Sequence, residues 1–225
     1  MEHLVQNTAT PWEAFIAVPH RPQTAVGYAP AKWVLSCGLA GVTEAMNLPN
    51  QQISRQQVRE ICQDPATDVL TGFICAMAWG DQNKPNAMCA WGARDRLRPA
   101  LLALRRTNLT RSEAFDLFCG SKRIPGLGPA FFTKLLYFFG PQPKNYIMDQ
   151  WTARSVNLIT GRQVVLMDGV YVHQYATGGH YQAFCDEVDR MADWLGCSGQ
   201  DVEERLFSQG GRKKWPWREY VKNNG

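Results

Sequence analysis

Lys134 and Asp149 are a primary amine and a carboxylate separated by the end of an apolar helix and a short loop, in "PAFFTKLLYFFGPQPKNYIMDQWTARSVNLI". Together such groups can do covalent chemistry: the amine attacks an electrophilic carbon, and the carboxylate stabilises positive charge developing beside it. Each also has a simpler reading. A lysine on a helix is commonly a solvated cation, and an aspartate directly before "QWTARSVNLI" stands where an N-cap belongs. Reach permits the joint reading. The six residues from Lys134 to Phe139 rise roughly 8 Å. The nine loop residues that follow span at most about 30 Å, so the chain can turn back and set both groups in one site.

The helix carrying the lysine is entered through "SKRIPGLGPAFF". Gly126 and Gly128 are expected to take backbone angles closed to other residues, and Pro129 suits the first position of a helix. Pro125, Gly126, Leu127 and Gly128 then form a tight hairpin between two helices. Its free N–H groups, and those of the next helical turn at Ala130, point outward with the positive end of the helix dipole. Such a surface holds a phosphate, and Lys122 and Arg123 add charge just upstream. An ordinary Gly-Pro connection with two solvated cations is the alternative the loop alone leaves open. Further along, Phe131, Leu135 and Phe138 adjoin a second apolar stripe of Phe132, Leu136 and Phe139. Ala130, Thr133, Lys134 and Tyr137 remain as the less apolar face, expected to point away from the core. If that face meets a cleft, Lys134 reaches back about one turn over the small Ala130. If it meets solvent, Lys134 is a solvated cation or a phosphate contact.

The hairpin, the apolar helix, the loop "GPQPKNYIM" and Asp149 together resemble the helix-hairpin-helix motif of the DNA glycosylase superfamily, typified by endonuclease III and the 8-oxoguanine DNA glycosylases. The 21 residues from Gly128 to Asp149 match the 8-oxoguanine branch. The chain also resembles small bacterial proteins with an 8-oxoguanine glycosylase fold. This resemblance implies an all-α, two-lobed body formed by residues 1–225 as one unit, with the motif and the catalytic aspartate within 120–160. It implies a substrate pocket between the lobes, double-stranded DNA with a damaged or modified base as partner, and a monovalent cation bridging hairpin carbonyls to phosphate. The sequence departs from the family where the bifunctional enzymes carry their lysine, two residues after the second hairpin glycine: Ala130 stands there. Lys134, one turn further on, is then the lysine expected to form a Schiff base and support strand cleavage, with Asp149 stabilising the cationic sugar. An extruded base needs flat surfaces and edge contacts. Trp79, Gln82, Trp91, Trp151 and His180 are the candidates. The default base is 8-oxoguanine. A hypermodified phage base, removed in antiviral defence, and a DNA-binding module without catalysis are the alternatives.

The elements that must position these residues read as helices: "KWVLSCGLAGVTEAM", "SRQQVREICQ", "TDVLTGFICAMAWG", "RDRLRPALLALRR", "SEAFDLFCG", "YQAFCDEVDRMADWLG" and "DVEERLFSQ". Thr110 with Glu113 makes a capping box, and Ser54 sits at an N-cap. "RQVVLMDGVYV" predicts one short β-hairpin turning at Asp168-Gly169. The first thirty residues, with Pro11, Pro19, Pro22 and Pro30, suggest an extended arm, and the tail "GGRKKWPWREYVKNNG" is basic and aromatic. In 225 residues, 45% hydrophobic residues suffice for a sizeable core, and the net charge of +4 leans toward an anionic partner. No run is apolar enough to span a membrane, and "MEHLVQNTATPWEAF" lacks a signal pattern, so a cytoplasmic monomer is expected. The seven cysteines contain no CxxC pair and read as small reduced core residues. His173 and His180 lack a third ligand at a metal-binding spacing, and no cofactor is expected.

Overall fold

Val69–Trp79 and Pro129–Phe139 are apolar around nearly their whole circumference, and each forms a helix buried along almost all of its length. The structure, a computed structural model, describes residues 10–19, 26–106, 109–141, 144–207 and 216–225. In chain order its helices are α1 (Pro11–Ala17), α2 (Pro30–Cys37), α3 (Arg55–Gln63), α4 (Val69–Trp79), α5 (Lys84–Gly92), α6 (Arg94–Arg106), α7 (Arg111–Asp116), α8 (Pro129–Phe139), α9 (Gln150–Thr160), α10 (Gly178–Leu195), α11 (Gly199–Phe207) and α12 (Pro216–Asn224). A single antiparallel pair, β1 (Met167–Asp168) and β2 (Tyr171–Val172), and two 3-10 turns, Glu44–Met46 and Gly120–Lys122, complete the described elements. The fold is all-α, as expected, and the small hairpin turns at Gly169, whose φ of +55° suits glycine.

The helices divide into two groups. One is α2 to α6 with α8; the other is α7, α1 and α9 to α12, with α7 also touching α8. Helix α4 lies close against α3 and α8 because Gly72 has no side chain: a Cβ there would stand 2.8 Å from the Phe139 ring and 3.1 Å from the Cys62 sulfur. The capping boxes at Thr110/Glu113 and Ser54/Gln57 are formed.

Three expectations need correction. The segment 32–46 is not one helix, because Gly38 takes a left-handed conformation, φ +68°, and stops α2 at Cys37. The N-terminal arm contains α1, started by a Thr10/Glu13 capping box with Pro11 at its first position and anchored by the fully buried Phe15; Pro22 lies outside the described residues. The cysteines are all free, but only Cys37, Cys62, Cys75 and Cys185 are core residues, whereas Cys89 and Cys197 are exposed. Among the described residues no helix is long and apolar enough to cross a membrane.

Candidate active site

A cleft of about 920 Å³ opens between the two helix groups. It is walled by the end of α4, the starts of α8 and α9, strand β2, and the side chains of Phe207 and Arg218. Lys134 and Asp149 both line it.

The loop after α8 brings them together by running back along that helix. Asn145 donates its side-chain amide to the Leu136 carbonyl at 3.2 Å, and one turn earlier the Met148 N–H donates to the buried Thr133 hydroxyl at 3.1 Å. Thr133 in turn donates to the Pro129 carbonyl at 2.7 Å. Asp149 therefore arrives beside the first turns of α8. There it caps α9, with Oδ1 accepting from Trp151 N at 2.8 Å and Thr152 N at 3.1 Å. No hydrogen bond from a described residue falls on Oδ2, so one carboxylate oxygen stays available.

Lys134 does not lie on a face turned away from the core. Thr133 and Tyr137 are buried with it, because α8 is covered on all sides beyond its first turn, where Ala130 and Phe131 meet the cleft with Lys134. The lysine arm runs past Gly80, where a Cβ would come within 2.8 Å of its Cδ and 2.9 Å of its Cε. It then reaches back one turn, Nζ donating to the Ala130 carbonyl at 2.7 Å with the Phe131 ring 5.0 Å away. Burial lowers the pKa of this amine below the ordinary lysine value. The negative charges of Asp149 and Glu203 oppose the shift and Arg55 adds to it.

Behind Lys134 lies a buried ionic cluster joining the helix groups. Arg55 of α3 pairs with Glu203 and Glu204 of α11 and stacks 4.1 Å over the Tyr137 ring and 5.8 Å from Trp79. Burial pushes the Glu203 carboxyl up to about 7, against the pull of Arg55. A carboxyl raised in the folded state contributes stability below its unfolded pKa and loses it as pH rises through the folded value. The thermal midpoint should therefore carry a fall between about pH 5 and pH 7.5 that Glu203→Gln, which still offers Arg55 an acceptor oxygen, flattens in a pH series of melting curves.

The opposite wall is aromatic and basic. The Arg218 guanidinium lies 4.5 Å over Trp151 and 4.9 Å over Phe207, and donates to the Phe207 carbonyl at 2.8 Å. Trp79 lines the near wall, its indole N–H buried and without a hydrogen-bond partner among the described residues.

Below the cleft the hairpin is as tight as expected, with one correction. Gly126 has φ +77°, and a Cβ there would strike the Asn86 carbonyl oxygen at 2.2 Å. Gly128 has φ −81° and ψ 173°, open to any residue, and a Cβ there meets nothing within 4 Å. What Gly128 provides is open space in front of α8. The amides of Gly126, Gly128 and Ala130 donate to no described protein group. Lys122 is exposed, while Arg123 is half-buried, donating to the Gln174 carbonyl with its guanidinium 4.6 Å over Tyr175. Of the hairpin carbonyls, those of Arg123, Ile124 and Gly126 accept from Arg96, Leu127 N–H and Gln82. Those of Pro125 and Leu127 accept nothing from the described residues, and such neutral oxygens suit a monovalent cation.

Residues 19–207, most of the chain, match the model of a family described as "Putative 8-oxoguanine DNA glycosylase OGG-like protein". The chain belongs to this family. No match is found among curated proteins or among solved structures.

On the OGG-like chain the fold gathers Trp79, Ala130, Lys134, Asp149 and Trp151 around one cleft. The other proposed base-reading residues stand elsewhere. Gln82 is buried beneath the hairpin, its amide donating to Gly126 O at 2.8 Å. His180 closes the capping box of α10, its Nδ1 2.8 Å from the Thr177 hydroxyl. Trp91 donates to the Ala40 carbonyl at 2.7 Å and packs on Phe73. Sequence reasoning missed Gly80, the Arg55–Glu203–Glu204 cluster and Arg218, and it placed Thr133 beside Lys134 without its bond to Met148 N. Only Arg218 carried a signal, standing in a tail already notable for its basic and aromatic residues.

Proposed function

We propose that this protein is a DNA glycosylase that draws a modified base out of the duplex into the cleft and breaks its bond to the sugar. The observation that carries the reading is Lys134 and Asp149 on one cleft directly above a hairpin with free amides. The hairpin holds backbone phosphate, with Lys122 adding charge. The extruded base enters between Trp79 and Trp151, whose rings offer its faces flat surfaces. As the glycosidic bond breaks, its electron pair leaves with the base, which takes up a proton, and the Asp149 carboxylate stabilises the cationic sugar. The neutral Lys134 amine bonds to the same sugar carbon, the ring opens to a Schiff base, and loss of the neighbouring proton expels the 3′ phosphate. The family description supports 8-oxoguanine as the base. Incubating the protein with duplexes that each carry one modified base, then treating with heat or alkali, tests this. Strand breaks at 8-oxoguanine are expected, and no break with any modified base would contradict the glycosylase reading.

The hairpin can be tested separately. Gly128→Leu fits the backbone and places a side chain across the free amides. Fluorescence anisotropy should show about tenfold weaker duplex binding and a shallower salt dependence, with an unchanged melting curve. Wild-type affinity at every salt concentration would remove the hairpin from the interface.

A further inference from the structure

Two buried basic side chains flank the near wall of the cleft, and only one of them has a counter-ion. Arg55 is 4% exposed and Lys134 8%. The Arg55 guanidinium takes two buried carboxylates of the other helix group, Nη1 donating to Glu204 Oε1 at 3.1 Å and Nη2 to Glu203. Lys134 takes neither. Its Nζ donates to the neutral Ala130 carbonyl, and among the described residues it joins no ion pair. Arg55 nevertheless lies against the lysine's surroundings, 4.1 Å over Tyr137, one turn further along α8, and 5.8 Å from Trp79, which adjoins the Gly80 that the lysine arm crosses. A buried lysine left to itself pairs with a nearby carboxylate, because an unpaired charge is costly in such surroundings.

We propose that Arg55 is a positioning residue for Lys134: by occupying Glu203 and Glu204 it denies the lysine a counter-ion and leaves the amine unpaired on the cleft. The inference rests on the glycosylase reading above, in which that amine is the nucleophile. The charges acting on Lys134 agree with it. Burial lowers its pKa, Asp149 and Glu203 oppose the fall, and Arg55 adds to it. Without Arg55 the buried Glu203 lacks a cation, and protonated Lys134 is the group left to supply one. The other charged groups around α8 are engaged elsewhere. Arg59 of α3 donates to the Tyr137 and Gly140 carbonyls, Arg105 of α6 to those of Cys62 and Thr67, and Arg218 lines the opposite wall near Asp149. On α7, Arg111 pairs with Asp186 and Asp189, Glu113 closes its own capping box and Asp116 accepts from Gly178 N–H; Asp68, capping α4, pairs with Arg98.

The test compares Arg55→Met/Glu204→Gln, which leaves Glu203 without its cation, with Arg55→Met/Glu203→Gln/Glu204→Gln, which removes that carboxylate too. The charge on Lys134 is read without DNA from its Cε resonance in protein labelled with carbon-13 lysine, the signal being the one missing from Lys134→Met. Single-turnover cleavage of a modified duplex across pH gives a second midpoint. In the first variant both midpoints should rise by about one pH unit or more, which makes cleavage about tenfold slower below the midpoint, with duplex affinity and the plateau rate at high pH kept. The second variant should return both to the wild-type value or below. An unmoved midpoint in the first variant, the same rise in both, or a loss of rate at every pH overturns the proposal. Should melting curves show the first variant unfolded, Glu203→Gln, which keeps an acceptor for Arg55, carries the test: its midpoint should lie at or below wild type with the full plateau rate, and a raised midpoint or a lost plateau overturns the proposal. Midpoints that fail to move in a protein that cleaves leave the glycosylase reading intact. A wild type that cleaves no duplex overturns that reading, and with it the part of Arg55 in the reaction.

Discussion

Lys134→Met should abolish strand cleavage and lower base release by about three orders of magnitude, while leaving the protein at least as stable as wild type. The amine is buried beside Phe131 and Gly80 and is held by one backbone carbonyl. A buried lysine costs stability while it is charged, so removing the charge offsets the loss of that hydrogen bond. Because burial lowers its pKa, the neutral nucleophile becomes populated at lower pH than for a solvated lysine, and Asp149 and Glu203 moderate the effect. Cleavage by wild type should accordingly rise with pH and level off below the ordinary lysine range. Single-turnover rates across a pH series, with a melting curve for each variant, check both parts.

Asp149→Asn should lower excision by about two to three orders of magnitude with nearly unchanged affinity for the modified duplex. The amide oxygen can still accept from Trp151 N and Thr152 N, so the start of α9 is kept and only the charge facing the cleft is lost. Arg218 loses a nearby anion in the same variant, which is the one change expected on the far wall. A variant that excises at the wild-type rate would make the carboxylate a cap and nothing more.

The parts of the site that were legible in the sequence are those written in local chemistry. Pro-Gly-x-Gly-Pro specifies a hairpin and a helix start within a few residues, and Asp149 is recognisable because a cap precedes its own helix. Lys134 was legible as a residue but not in its surroundings. A helix carrying phenylalanine on two faces can be covered on the third as well, and α3, α4 and α6, which cover α8, lie far upstream in the chain. The same distance hid Gly80, whose missing side chain matters only once the lysine arm crosses it, and Glu203, which meets Arg55 across 148 residues. His180 does not line the cleft, and its partner in the cap, Thr177, already engages its ring, a contact that only the folded start of α10 shows. Gly128 does not need the special backbone angle that the sequence suggested, and serves instead as open space.

The most direct test of the account is borohydride trapping on a duplex carrying the excised base, followed by digestion and mass mapping of the cross-linked peptide. Reduction of a Schiff base leaves one stable protein–DNA adduct, and the account predicts that it sits on the peptide containing Lys134 and is missing from Lys134→Met. Base release without any adduct, or an adduct mapped to Lys122 or to another amine, would contradict it.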